Sequence, residues 1–139
     1  MEFGNGPWKG GRLCAASLCY RGLDAAQLQM IAANHAAVGI RGTLLATVDE
    51  GLEPFRQRNW DVRLNTEALE GPAARHAVPD VKLIEGTLAT HEWTVWLLDG
   101  DKLDALGADG HAAILRWLGD YHDRVWCAPV RDIAAFRPA

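Results

Sequence analysis

The chain has 139 residues, of which 49% are apolar and 23% are charged, and its formal net charge is −4. This length and composition are typical of one globular domain, which excludes a disordered or collagen-like chain. The apolar runs are far shorter than the roughly 20 residues that cross a bilayer. Scattered basic residues in an acidic chain argue against nucleic acid or an anionic membrane as a partner.

The three cysteines, Cys14, Cys19 and Cys127, indicate a reducing compartment, because an odd count with a normal core does not suit a disulfide scaffold. We find no pattern of a secretory signal and expect a cytoplasmic protein. The abundance of arginine and alanine is typical of a GC-rich bacterial genome. Cys14 and Cys19 lie an odd number of residues apart in one predicted strand, so alternation places them on opposite faces.

The first predicted elements are a central strand and a helix. Residues 1–11 are rich in glycine, and we expect a flexible leader followed by a single domain over residues 12–139. Residues 12–20 are apolar on both faces, as in a strand covered on both sides. Asp24 is placed to cap a helix that ends at Gly39. The buried face of this helix is predicted to carry Leu28, Ile31, Ala32, His35 and Val38.

Further strands are predicted along the rest of the chain. Residues 40–48 form the second strand, closed by residues 49–51, and residues 52–59 form a loop or a short helix. Trp60, Val62 and Leu64 alternate with polar residues, as in a half-buried strand. Residues 81–88 and 92–98 are predicted to form an antiparallel pair of strands.

The last predicted element is a C-terminal helix that Asp109 caps and that runs to about Cys127. Its apolar stripe includes Ile114 and Leu118, and we expect this stripe to pack on one face of the sheet. The order of elements predicts an α+β domain with a ferredoxin-like sheet of about five strands, one helix after the first strand and a C-terminal helix.

Four segments resemble the BLUF (blue light using flavin) family. Residues 18–23 (LCYRGL) are similar to the end of the family's first strand, with its tyrosine, and residues 34–45 (NHAAVGIRGTLL) are similar to the end of its first helix and its second strand. Residues 68–72 (ALEGP) resemble the end of its third strand. Trp93 resembles the family's tryptophan in a late strand.

The resemblance implies a cytoplasmic blue-light or redox sensor that binds FAD and signals to a protein partner. It places Tyr20 at the family's electron- and proton-donating tyrosine, Asn34 and His35 at the flavin edge, Glu67 at the glutamine position and Trp93 beside the flavin. FAD is the cofactor implied. None of these residues is assigned a catalytic role.

Two features of the sequence favour an alternative function. A carboxylate at Glu67 accepts hydrogen bonds only, unless it is protonated, so it does not copy an amide. Residues 71–81 leave room for at most one turn, where the family has a second helix. The alternative is a flavin-free ligand-binding or protein-interaction module on the same fold, either monomeric or dimeric. A third reading is a small enzyme that uses His91 or Glu67.

The five histidines do not predict a metal site. They are His35, His76, His91, His111 and His122. No two of them have the i, i+3 or i, i+4 spacing that brings ligands together on a helix, and no CxxC or HExxH motif is present. We expect them to be solvated surface residues, except for His35 on the buried helix face. Glycine-rich phosphate motifs and the GxSxG motif are also absent.

Overall fold

The computed structural model describes residues 6–47, 51–65 and 67–136. Among these residues the chain forms one sheet of five strands, and every pair of neighbouring strands is parallel. The strands are β1 (Cys14–Arg21), β2 (Thr43–Ala46), β3 (Asp61–Leu64), β4 (Trp93–Asp99) and β5 (Val125–Cys127). The helices are α1 (Ala25–Val38), α2 (Glu53–Gln57), α3 (Val81–Gly86), α4 (Gly100–Asp120) and α5 (Val130–Phe136).

Strand β1 lies at the centre of the sheet, in the order β3-β2-β1-β4. Strand β4 pairs with one edge of β1 over residues 15–21. Strands β2 and β5 share the other edge, where β5 pairs with residues 14–16 and β2 with residues 19–21. The prediction of a ferredoxin-like sheet is therefore wrong, because that sheet is antiparallel and this one is parallel throughout.

Both faces of the sheet are covered, as a parallel sheet requires. On one face, alternate residues of β1 pack in the main core with residues of α1 and α4. On the other face, Cys19, Leu45 and Val95 pack with Val130 of α5 and with residues 69 and 74 of the segment that leads from β3 towards β4. Cys14 and Cys19 accordingly lie in different core clusters.

The first strand and helix follow the local signals in the sequence. All residues of β1 except the last are buried. Asp24 caps α1 through its side chain, which accepts a hydrogen bond from the amide of Gln27, and the Gln27 side chain bonds back to the Asp24 amide. Gly39 ends the helix with φ at 71°, a left-handed conformation that glycine adopts without steric cost. These two predicted helix ends are confirmed.

Residues 81–88 are not a strand. Residues 81–86 form α3, and residues 87–89 form a turn of 3-10 helix. The Asp80 side chain accepts a hydrogen bond from the Leu83 amide and so caps α3. Ile84 and Thr87, three residues apart, are buried, while the residues between them are exposed, which is helical rather than alternating burial. The predicted antiparallel pair of strands is therefore wrong, and residues 93–99 pair with β1 instead.

The predicted helix from Asp109 to Cys127 is wrong at both ends. Helix α4 begins at Gly100, where the side chain of Asp99 accepts a hydrogen bond from the Lys102 amide. Gly107 interrupts it with φ at 78° and ψ at 161°. The chain leaves the helix after Asp120, and residues 125–127 become β5, which adds to the free part of the β1 edge.

Several sequence predictions fall partly outside the described residues. These are the end of the second strand at residue 48, the turn at residues 49–50, and residues 1–5 of the expected leader. Within that leader, Trp8 is buried against Trp93 and donates a hydrogen bond to the His91 carbonyl. Across the described ranges, each helix is too short or too polar to cross a bilayer.

Candidate functional site

A cluster of one tyrosine and two histidines lies in the core where three elements meet. Tyr20 comes from β1, His35 from α1 and His111 from α4. Their exposed fractions are 0%, 1% and 0%. The apolar residues of the main core surround them, so these polar groups depend on one another for hydrogen bonds.

The Tyr20 hydroxyl is the centre of this cluster. It lies 2.7 Å from Nε2 of His35 and 2.7 Å from Nε2 of His111. The remaining ring nitrogens have partners of their own. Nδ1 of His35 lies 3.0 Å from the Ile40 carbonyl, and Nδ1 of His111 lies 3.1 Å from the Asn34 side-chain amide nitrogen.

These contacts fix where the hydrogens lie. The Ile40 carbonyl only accepts, so Nδ1 of His35 carries the hydrogen and its Nε2 accepts from the Tyr20 hydroxyl. The Asn34 nitrogen only donates, so Nδ1 of His111 accepts and its Nε2 donates to the Tyr20 oxygen. The result is one chain of hydrogen bonds with a single direction, from Asn34 to Ile40, in which both imidazoles are neutral.

Burial keeps all three titratable groups uncharged. Desolvation, together with a smaller effect of the neighbouring His111, lowers the pKa of His35 to about 3. Desolvation also lowers the pKa of His111 to about 4. It raises the pKa of the Tyr20 hydroxyl well above the ordinary value. The charged form of each group would lose its hydration without gaining a counter-charge.

Asn34 joins the outer end of this chain to the interruption in α4. Its amide nitrogen lies 3.3 Å from the carbonyl of Ala108, the residue after Gly107, as well as near His111. Asn34 is partly exposed, whereas His111 is fully buried. The side of His111 that faces Asn34 is therefore the side of the cluster nearest to solvent.

An aromatic wall closes the other side of the cluster. The ring of Trp60 lies 4.6 Å from that of His35 and 6.2 Å from that of Tyr20, between centroids. Phe55 of α2 packs edge-on against Trp60 at 4.8 Å. A Cβ at Gly42 would lie 2.8 Å from the Trp60 ring. Any residue other than glycine at this position would therefore displace the ring.

The structure brings together three of the five residues that the sequence singled out. Tyr20, His35 and Asn34 belong to the cluster. Glu67 lies in the exposed turn after β3, where its carboxylate accepts from the Leu64 amide at 2.6 Å. Trp93 lies at the opposite end of the sheet, at the start of β4, and donates to the Ser17 hydroxyl at 3.1 Å.

Sequence reasoning missed His111. It was expected on the surface, but it is fully buried, and that prediction is wrong. The spacing from His111 to Ile114, Leu115 and Leu118 is that of one buried helix face, so the signal was present in the sequence. The remaining histidines, His76, His91 and His122, are exposed as expected.

The residues of the cluster do not fit a flavin. The hydroxyl of Tyr20 already donates and accepts one hydrogen bond, and both nitrogens of His35 are engaged. The enclosing side chains leave neither residue a surface for a ring to contact. Within the described ranges, no three His, Cys, Asp or Glu side chains are grouped as metal ligands either.

An open groove lies beside the cluster, between α1 and α2. It has a volume of about 590 Å³, and its surface is mostly apolar. A narrower recess continues from it past Leu23 and Leu28 to the carboxyl end of β2. Phe55 lines the groove on one side and touches Trp60 on the other. Of the five residues singled out from the sequence, none is among its described lining residues.

Comparison with protein-family models, with curated proteins and with solved structures finds no match to this chain.

Proposed function

We propose that this chain is a flavin-independent binding module that takes a small, mainly apolar molecule in the groove between α1 and α2. The proposal rests on the groove itself, which has a volume of about 590 Å³ and a mostly apolar surface. Pockets for small molecules have volumes of this order, with apolar walls and a few polar groups.

The position of the groove supports this function. It opens beside Leu23 and Asp24, which follow β1, and beside Gly51, which follows β2. In open parallel sheets, ligands bind outside the carboxyl ends of the strands, where loops and helix ends provide a concave surface. Smaller recesses at the ends of β2 and β3 and of β1 and β4 lie along the same edge.

The walls of the groove define the class of ligand. Leu23, Leu28 and Ala32 are half-buried on the side of α1, and Phe55 is buried on the side of α2. The three half-buried side chains bury apolar surface on binding, at about 25 cal/mol per Å², whereas Phe55 is already buried and forms part of the floor of the groove. Asp24 and the exposed Gln29 are polar groups of the lining. A molecule with an apolar body and one uncharged or cationic polar end suits this arrangement.

Titration with N-phenyl-1-naphthylamine, a neutral apolar probe whose fluorescence rises on burial, tests the site. Ala32 lines the groove, and its neighbour Ala33 is exposed outside it. We expect Ala32→Leu to weaken probe binding at least about tenfold, equivalent to about 1.4 kcal/mol, and the matched Ala33→Leu variant to bind like the unaltered protein. Equal binding by both variants, or none by the unaltered protein, would refute the groove as the site.

Flavin independence has its own test. The purified protein is mixed with excess FAD and passed over a desalting column, and its absorption is recorded near 450 nm, where bound flavin absorbs. We expect no flavin to travel with the protein. Bound flavin, and above all a red shift of its band under blue light, would replace this proposal with the sensor function that the sequence resemblance implies.

A further inference from the structure

We propose that Tyr20, His35, His111 and Asn34 form a latch that holds α1 and α4 against β1 and opens in acid. Each member comes from one of these three elements, and the hydrogen bonds between them link α1 to β1 and β1 to α4. Asn34 adds a direct link from α1 to α4. The latch is independent of any ligand in the groove.

The hydrogen bonds of the latch allow one protonation state. A proton on Nε2 of His35 would remove the acceptor of the Tyr20 hydroxyl. The Tyr20 oxygen would then face two N–H donors, and its own hydrogen would have no acceptor. A proton on Nδ1 of His111 would point at the Asn34 amide hydrogens. The first event leaves a buried hydroxyl hydrogen unpaired, and the second requires the Asn34 amide to rotate and release the Ala108 carbonyl.

No counter-charge within the described residues offsets an added proton. The groups that face the latch from the sheet, from α2 and from the residues before β3 are neutral. They are the thiol of Cys127, whose pKa burial raises to about 12, and the rings of Phe55 and Trp60. The thiol of Cys19, whose pKa burial also raises to about 12, is next to Tyr20 in β1 but points to the opposite face of the sheet. Asp104 and Asp109 of α4 are exposed, and the bonds to the imidazoles come from other groups.

His111 is the first residue of the latch that acid reaches. Its Nδ1 is covered by Asn34, which is partly exposed. The Asn34 side-chain amide also contacts the Ala108 carbonyl, next to the interruption of α4 at Gly107. A small movement of the Asn34 side chain gives water access to this nitrogen. His35 lies deeper, between Tyr20 and Trp60, and takes its proton only after Tyr20 has moved away.

The sign and the pH window follow from proton linkage. Closed, the latch holds the pKa of His111 at about 4 and that of His35 at about 3, while in the opened state both return towards 6.5. Above about pH 6.5 both states are unprotonated, and opening is independent of pH. Below it the opened state binds protons first, so the opening constant rises up to tenfold per pH unit for each histidine. Two histidines give up to about 100-fold per pH unit.

Amide hydrogen exchange of the whole chain, read by mass spectrometry from about pH 7 to about pH 5, measures this opening. After correction for the intrinsic exchange rate, we expect peptides from α1 and from residues 108–120 to lose protection as the pH falls. Peptides from β4 should keep their protection. A flat profile, or an equal rise along the whole chain, would overturn the latch.

Variants separate proton binding from packing. In the His111→Gln variant, we expect a larger opening constant at every pH. We also expect this constant to rise about tenfold less per pH unit than in the unaltered protein, because one titrating histidine is gone. His122→Gln, at an exposed histidine, should leave the response unchanged. In the unaltered protein, an NMR titration should show His111 still neutral at about pH 5. A His111 that titrates near pH 6.5 in the folded protein, or an unchanged acid response in His111→Gln, would refute the proposal.

Discussion

The Tyr20 hydroxyl donates its hydrogen to Nε2 of His35 across 2.7 Å, and the direction of this bond is set by the Ile40 carbonyl on the far side of the imidazole. Because that carbonyl only accepts, it holds the hydrogen of His35 on Nδ1. A backbone group five residues from His35 thus determines the role of a tyrosine on another element. The folding stability of the domain should depend strongly on this hydroxyl.

Tyr20→Phe removes the hydroxyl and leaves Nε2 of both imidazoles buried without a partner. Each unpaired group costs about 1–3 kcal/mol, so the two together should lower the free energy of unfolding by about 2–6 kcal/mol. Urea unfolding, monitored by circular dichroism, measures this free energy of unfolding. Tyr121→Phe, on a partly exposed ring that stacks on Trp117, should change it by less than about 0.5 kcal/mol. Equal losses for the two variants would contradict the assigned hydrogen bonds.

Asp61 is a buried carboxylate that joins β3 to α5. Its carboxylate accepts hydrogen bonds from Nε and Nη2 of Arg63 at 2.9–3.1 Å, and one from the Arg131 amide at 3.0 Å. Arg63 also pairs with the more exposed Glu70 at 2.7 Å. Asp61→Asn removes the more buried of these two carboxylates, and we expect a loss of about 2 kcal/mol in unfolding free energy.

The matched control for Asp61 is Asp132→Asn, at a more exposed ion pair with Arg41. Solvent screens this pair, so the loss should stay below about 1 kcal/mol. Chemical unfolding of both variants under one set of conditions gives the comparison. A larger loss of unfolding free energy in Asp132→Asn than in Asp61→Asn would show that burial does not decide which ion pair stabilises the fold more.

Gly71 approaches the ring of Trp93 more closely than a side chain permits. Its φ is 90°, and an added Cβ would lie 2.4 Å from the ring. Gly39 has a φ of 71° but open space around the added Cβ. Gly39→Ala should cost about 1–2 kcal/mol for the left-handed backbone alone, and Gly71→Ala should cost more because Trp93 must move. Thermal unfolding measures both, and equal shifts in Tm would contradict the close contact.

The three thiols should react slowly in the folded protein. Burial raises the pKa of Cys19 and of Cys127 to about 12 and also raises that of Cys14. At pH 8 a thiol with this pKa is about one part in 10⁴ thiolate, and the thiolate is the reactive form. Iodoacetamide labelling read by mass spectrometry should be far faster in urea than in buffer. A cysteine that labels at the same rate in both would not be buried.

The parts of the fold that have local signals can be predicted from the sequence alone. The strand over Cys14–Arg21 follows from a run that is apolar on both faces, and α1 follows from its cap at Asp24 and its stop at Gly39. The burial of His35 follows from the helical period alone. Asp80 is a similar cap signal for α3. The residues after it also fit a strand pattern, and that pattern led to the wrong prediction of a strand.

The direction of the strands and the partners of Tyr20 depend on contacts between residues that are far apart in the sequence. Residues 67–80 cross the second face of the sheet without a periodic pattern, and Arg75 forms an isolated bridge with Trp96 on β4 before α3 begins. That path makes β4 parallel to β1. His111 lies 91 residues from Tyr20 and reaches it only because α4 returns over the same face as α1. Local periodicity tells which face of an element is buried, whereas the choice between distant partners depends on the packing of the whole chain.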